Sequence, residues 1–291
     1  MNRSFTLLRS IAPLSFCLLA ACNASTTAST DSATTDYETF NSTANTTSTL
    51  GGAAVKLREN PDVVTVSSSS GTLDHSTGAT VLDDGTYRLE DQDGFGFDTL
   101  LTDGISVLIA TPTRGFSDSY SYARVYTQGY LVGTTPYSAT GVFGIVTSDA
   151  DIPTSGSATY TGEAVGNYSD GTTDYDLDDG SSTVVANFGT GTVNVTMEGF
   201  EAVNRSNGNT EDVGFNQVTI TGMSIDGNQF DGGTIATLAD GTVVTIIGAQ
   251  SQSDAIGRFF GLDSDGVPDE VGGVGYIEGA DGSVTTIFLA D

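Results

Sequence analysis

The sequence predicts an all-β, antiparallel protein, a sandwich or a barrel. Ten Asp-Gly pairs punctuate the chain between Asp84 and Asp281, and Asn207-Gly208 adds another turn. Such pairs supply the positive backbone angles of tight hairpins. Period-2 runs lie between them: Val193, Val195 and Met197 alternate with Thr192, Asn194, Thr196 and Glu198. Val218 and Ile220 alternate with Thr219 and Thr221, and Thr234–Leu238, Val243–Ile247 and Val284–Leu289 read as further strands. From residue 63 onward no sustained helical stripe with caps occurs.

In chain order, residues 1–21 read as an export signal. Arg3 and Arg9 are their only charges, and the apolar run from Ile11 to Ala21 is shorter than a membrane-spanning helix needs. The run ends Leu19-Ala20-Ala21-Cys22, the pattern of a bacterial lipobox. A thiol is required there because its sulfur receives the lipid. Cys22 is therefore the expected lipidation site, and Asn23 after it favours the outer membrane over the inner one. Residues 22–62 are expected to form a lipidated, Ser/Thr-rich disordered tether, because they offer too little apolar surface to offset ordering entropy. Residues 51–63, with Lys56, Arg58 and Pro61, read as the entry to the folded part. Residues 63–150 hold several strands. A boundary near Pro153 separates them from residues 151–291, whose roughly eight strands suffice to close a small barrel.

The charge balance excludes several functions. The sequence has 37 acidic and 9 basic side chains, for a net charge of -28. A surface this acidic repels phosphate backbones, so no nucleic-acid partner is expected. One histidine and two cysteines cannot build a multi-histidine centre, a four-cysteine cluster or a disulfide framework. No Gly-x-Ser-x-Gly, phosphate-binding loop or aspartic-protease triplet is present, so no catalytic residue is assigned. A carboxylate-pair hydrolase stays open as an alternative, because the acids offer many pairs. So does a structural, coat-type lipoprotein with no specific ligand.

Tyr120, Tyr122, Arg124, Tyr126, Gln128 and Tyr130 would share one face of a strand. Tyrosine with arginine is what binding interfaces favour, so Tyr120, Tyr122, Arg124, Tyr126 and Tyr130 are the candidate ligand- or partner-binding residues. The alternative is a tyrosine-lined face packing on a neighbouring layer. Tyrosine phenolate also ligates haem iron, which makes haem the one cofactor in view, and His75, in a Ser/Gly/Thr-rich loop, is a second candidate axial ligand. No metal site is assigned. Asp263, Asp265, Asp269 and Glu270 resemble a calcium loop in their alternation around a glycine but lack the full spacing. Asp174–Asp179 reads as a similar acidic turn.

Four segments carry a family resemblance: Pro153-Thr-Ser-Gly-Ser-Ala-Thr-Tyr-Thr-Gly162, Ala186-Asn-Phe-Gly-Thr-Gly-Thr-Val193, Ile225-Asp-Gly-Asn-Gln-Phe-Asp-Gly232, and Gly257-Arg-Phe-Phe-Gly261 followed by Glu270-Val-Gly-Gly273. Together, and in this order behind a lipobox, they resemble the C-terminal barrel of transferrin-binding protein B-like surface lipoproteins. Leu262 stands where the family usually has proline. The resemblance covers residues 141–291 and, more loosely, 80–140. It implies an eight-stranded C-terminal barrel preceded by a smaller, handle-like β region. It also implies an outer-membrane, lipid-anchored and surface-exposed binding protein. Relatives capture iron or haem carrier proteins, haem, or host regulators, which implies a protein or haem ligand and a TonB-dependent receptor as further partners. Full-size relatives have two lobes, and this chain has room for one.

Overall fold

The computed structural model describes residues 37–291 except 41, 43, 59–62, 77–78, 83–87, 92–96, 101–105, 111–115, 117–119 and 133–134, and gives backbone alone for the strands within 79–110 and for 127–132 and 135–137. The signal, Cys22 and residues 23–36 lie outside the described residues. The architecture is all-β and antiparallel. Among the described residues the one helical element is a 3-10 turn at Asp149–Asp151.

Eight strands precede that turn: β1 Thr47–Arg58, β2 Val63–Asp74, β3 Ala79–Leu82, β4 Arg88–Asp91, β5 Phe97–Leu100, β6 Ser106–Ala110, β7 Ala123–Val132 and β8 Thr135–Ile145. Each pairs with the next, and β8 returns to pair with β1, closing a ring. This corrects two expectations. The N-terminal unit is a closed eight-stranded barrel, and it begins at Thr47, inside the stretch expected to be tether. Composition hid β1 because its middle is Gly51-Gly52-Ala53-Ala54, with no large apolar residue. All four are nonetheless buried. A side chain at Gly51 would strike Val146 and Arg258, and one at Gly52 would strike Ser69 and the Val142 carbonyl. Small residues are required because β1 is covered on both faces.

Eleven strands follow: β9 Ser157–Ser169, β10 Asp174–Asn187, β11 Thr192–Glu198, β12 Glu201–Asn204, β13 Gln217–Asp226, β14 Gln229–Asp231, β15 Thr234–Ala239, β16 Thr242–Val244, β17 Gln250–Phe260, β18 Glu270–Gly279 and β19 Gly282–Ala290. They form one sheet. The pairing of β11 with β13 closes it into a ring of β9, β10, β11, β13, β14, β17, β18 and β19. This is the expected eight-stranded C-terminal barrel; β12, β15 and β16 hang from the ring.

The Asp-Gly pairs divide by role. Asp240 and Gly241 both take positive φ, 49° and 75°, in the two-residue hairpin between β15 and β16. Asp179-Gly180 is instead a bulge inside β10, with Asp179 at φ 57° and the register shifting between Leu177 and Gly180. The segment expected as an acidic turn, Asp174–Asp179, is therefore strand. The pairs at Asp84, Asp93 and Asp103 lie outside the described residues.

Alternation decides what each face buries. On β11, Val193, Val195 and Met197 point into the barrel, where Phe188, Phe230, Phe259 and Phe288 also lie. β18 is buried at every position from Glu270 to Tyr276. One of its faces looks into the C-terminal barrel and the other meets the N-terminal barrel. Ala53, Val55, Ala123 and Val142 of the first ring share an apolar cluster with Ile256, Phe260, Val274, Ile287 and Leu289 of the second. Burying the Val, Ile, Leu and Phe side chains among them contributes roughly 1.5–3 kcal/mol each. The seam is thus a second core.

Candidate functional site

The Gly257–Gly273 segment builds this seam. Phe259 points into the C-terminal barrel, its ring 5.0 Å from that of Phe230. Gly257 bears no side chain because the Phe230 ring occupies the space; a Cβ there would come within 2.2 Å of it. Phe260, next along the strand, points the other way into the seam. Gly261 follows at φ 61°, a conformation L residues avoid, with the Tyr122 ring against it.

Glu270 is the polar element of the seam and is 2% exposed. One carboxylate oxygen accepts from the backbone N–H groups of Ser121 and Tyr122. The other accepts from Tyr122 at 3.1 Å and Ala123 at 2.8 Å. The chain entering β7 therefore donates three consecutive amides to one side chain of the other barrel. Burial pushes the Glu270 carboxyl up to about 7, against the pull of these three donors. Tyr120 completes the contact by donating its hydroxyl to the Leu289 carbonyl at 2.8 Å. Arg258, largely buried at the edge of the seam, donates to the Asn228 side chain at 2.5 Å and to the Gly52 carbonyl at 3.4 Å.

At one end the two barrels diverge and leave a cleft of about 500 Å³. Val55 and Leu57 of β1 and Ser138 and Thr140 of β8 form one wall; Val165, Thr285 and Ile287 lie on the opposite wall. Asp174, Asp176 and Asp178 line it from β10, and Arg205 reaches in from the turn after β12. Alternation places the three aspartates on one face of their strand. Arg205 pairs with Asp176 at 2.6 Å and donates to the Asn167 side chain. The cleft thus joins an apolar floor to an acidic rim whose cation is already engaged. It suits binding of a mixed apolar and basic surface. It was not legible in the sequence because Val55 and Leu57 fall in the expected tether and the aspartates in an expected turn. The i, i+2, i+4 spacing of the aspartates was the available signal.

The residues expected to form a binding face fall elsewhere. Tyr120 precedes β7 and is 5% exposed; Tyr126 is buried with its ring 5.6 Å from Phe143. The expected strand takes in Tyr120 and Tyr122, but β7 begins at Ala123, so alternation does not reach them. Tyr122 is half-buried over Gly261. Arg124 lies 4.9 Å from the Phe40 ring centroid and donates to the Tyr120 and Ala123 carbonyls. Tyr130 lies in β7 opposite Tyr137, its side chain outside the described residues. His75 is buried, not solvated, with Nε2 2.7 Å from the Ser48 hydroxyl. Of the acidic quartet, Glu270 is turned into the seam and Asp263 accepts from the Ser264 amide of its own loop. Among the described residues no group of three or more His, Cys, Asp or Glu is arranged to hold a metal. Among them also no helix is long and apolar enough to cross a membrane.

Two closed antiparallel barrels share a core, with a cleft at their seam. The family described as the C-lobe and N-lobe beta barrels of Tf-binding protein B matches residues 152–291, the second of the two barrels. A search of curated proteins finds no match. Among solved structures, intact Ap-TbpB with both lobes superposes with a TM-score of 0.50 at 17% identity, over 82% of this chain and 45% of that one. The protein of Neisseria meningitidis serogroup B gives 0.45 at 15%, over 82% and 43%. A mutant of transferrin-binding protein B from Haemophilus parasuis Hp5 gives 0.48 at 14%, over 82% and 44%. The chain spans less than half the length of these three structures.

Proposed function

We propose that this chain is an outer-membrane lipoprotein, anchored through lipid on Cys22 and exposed at the cell surface, that binds a ligand without performing chemistry. By resemblance its ligand belongs to iron or haem capture, with a TonB-dependent receptor as the downstream partner. The observation that carries the reading is the match of residues 152–291 to the family barrel, joined to a second barrel with a cleft at their seam. The rim chemistry favours a carrier protein over haem. Haem brings carboxylates of its own, and the cleft presents Asp174, Asp176 and Asp178 with Arg205 already paired. An acidic rim instead steers a basic protein surface.

The test exposes the purified protein to haem and, separately, to iron-loaded and iron-free host carrier proteins. A carrier complex that weakens between 50 and 300 mM salt supports the reading. A Soret shift without carrier binding transfers the function to haem. No binding to any of them favours the coat-type alternative.

A second reading draws on one observation. Asp174 and Asp176 stand two residues apart on one strand face, about 7 Å at strand spacing, inside a concave site. That is the separation at which paired carboxylates hydrolyse glycosides. The Asp176–Arg205 ion pair counts against it. Turnover of chromogenic glycosides that disappears in Asp174→Asn would establish the hydrolase.

A further inference from the structure

Arg205 stands at the end of β12, where its amide donates to the Asp174 carbonyl at 3.0 Å. From there its side chain lies across the sheet. Strand pairing sets Val203, Asp176, Asn167 and Thr285 side by side in one row over β12, β10, β9 and β19. Nε of Arg205 donates to Asp176 Oδ1 at 2.7 Å, and Nη2 reaches the same oxygen at 2.6 Å. Nη2 also donates to the Asn167 side chain. The guanidinium therefore stops one strand short of Thr285, about 4.8 Å. Among the described residues lining the cleft it is the one cation, against Asp174, Asp176 and Asp178.

Two facts separate this contact from a structural latch. The turn after β12 is held by other bonds. The Asn204 amide donates to the Asn209 carbonyl at 2.9 Å, the Gly208 amide to the Asn204 carbonyl at 2.8 Å, and the Asn204 side chain to Glu211 at 3.0 Å. The Arg205 side chain can leave without unmaking them. It is also 47% exposed, and ion pairs at such exposure are weak and screened by salt. A guanidinium from outside would present the same planar fork to the same carboxylate and amide oxygen. One rung along the strands, about 7 Å away, Val165 pairs with Ile287 on the same face, and both line the cleft. In an extended peptide, side chains two residues apart share a face at the same spacing.

We propose that Arg205 occupies the seat that an arginine of the partner takes on binding. The cleft is then a reader of a guanidinium two residues from an apolar side chain, and Arg205 is its internal competitor, displaced when the partner docks. Resting on the reading of the cleft as the ligand site, this narrows the basic surface expected there to an extended segment of the form apolar-x-Arg. A seat emptied of Arg205 should bind such a segment more tightly.

The test titrates acetyl-Leu-Gly-Arg-amide into the isotope-labelled full chain and follows the Arg205 Nε–H signal and the backbone amides of Asn167 and Thr285. Expected are shifts at both amides and faster solvent exchange at Arg205 Nε–H. Binding to Arg205→Gln should be about fivefold tighter, the factor an exposed ion pair can withhold. The same peptide with citrulline in place of arginine should not bind. Arg205→Lys, which keeps the charge without the fork, guards against a loss of folding and should fall between the two proteins. Binding at the cleft with Arg205 Nε–H unmoved and equal affinity in Arg205→Gln overturns the competition and leaves the cleft as a ligand site. Weaker binding to Arg205→Gln at an unchanged melting temperature also overturns it and makes Arg205 a contact residue. No shift at Asn167 or Thr285 in either protein overturns guanidinium reading, while the carrier assay still decides whether the cleft takes a protein.

Discussion

The Glu270 carboxylate, at the start of β18, accepts the backbone N–H of Ala123, at the start of β7, at 2.8 Å across 147 residues of chain. Neither group has water within reach as an alternative, since Glu270 and Ala123 are both buried. With the Ser121 and Tyr122 amides on the same carboxylate, this contact makes the two barrels one folding unit.

Replacing Glu270 therefore destabilises the whole chain. Glu270→Ala leaves the buried Ala123 amide and the part-buried Ser121 and Tyr122 amides without this acceptor, at about 1–3 kcal/mol for the buried one. Glu270→Gln presents an amide N–H2 where an acceptor is needed and costs less, about 1–3 kcal/mol. Urea unfolding measures both.

The pH dependence follows from the same group. Burial raises the Glu270 carboxyl from 4.5 to about 7, so the folded state binds the proton more tightly than the unfolded state. Its contribution to stability is full below pH 4.5 and is lost as pH rises through 7. Stability should decline across that window, and Glu270→Gln should flatten the slope. Unfolding midpoints at pH 5 and pH 8 for both proteins check it.

The C-terminal barrel is not separable in good form. Removing residues 47–146 exposes Ile256, Phe260, Val274, Ile287 and Leu289 together. The fragment should bind a hydrophobic dye or aggregate, and the full chain should unfold in one transition seen alike by probes in either barrel. Two separated transitions would show independent barrels.

Gly257→Ala drives a methyl into the Phe230 ring, and overpacking of this kind costs typically 1–3 kcal/mol. Phe230→Ala costs about 3–5 kcal/mol by cavity formation. Combining the two should cost less than their sum, because the truncated ring makes room for the methyl. A double-mutant cycle measures this.

The C-terminal barrel was legible because its strands bury one face and expose the other. Val193, Val195 and Met197 therefore wrote period 2 into the sequence, and Asp240-Gly241 marked a turn only left-handed residues can make. β1 was not legible, because a strand covered on both faces in a narrow seam carries Gly and Ala, which composition alone assigns to a linker. The placement of the tyrosine run was not legible for a related reason: Tyr120 precedes the strand, and its hydroxyl serves Leu289. The cleft was hidden because Leu57, Ser138, Asp176 and Thr285 come together only through pairings between distant strands. Glu270 was singled out, but as a calcium ligand; only the fold shows that its partners are amides.

The central claim is that the seam cleft is where this protein meets its ligand. Thr285→Trp fills that cleft from a half-buried position of β19. With the carrier that binds the unaltered protein, the account predicts at least tenfold weaker affinity for Thr285→Trp at an unchanged melting temperature. Unchanged affinity in a folded Thr285→Trp protein would contradict it.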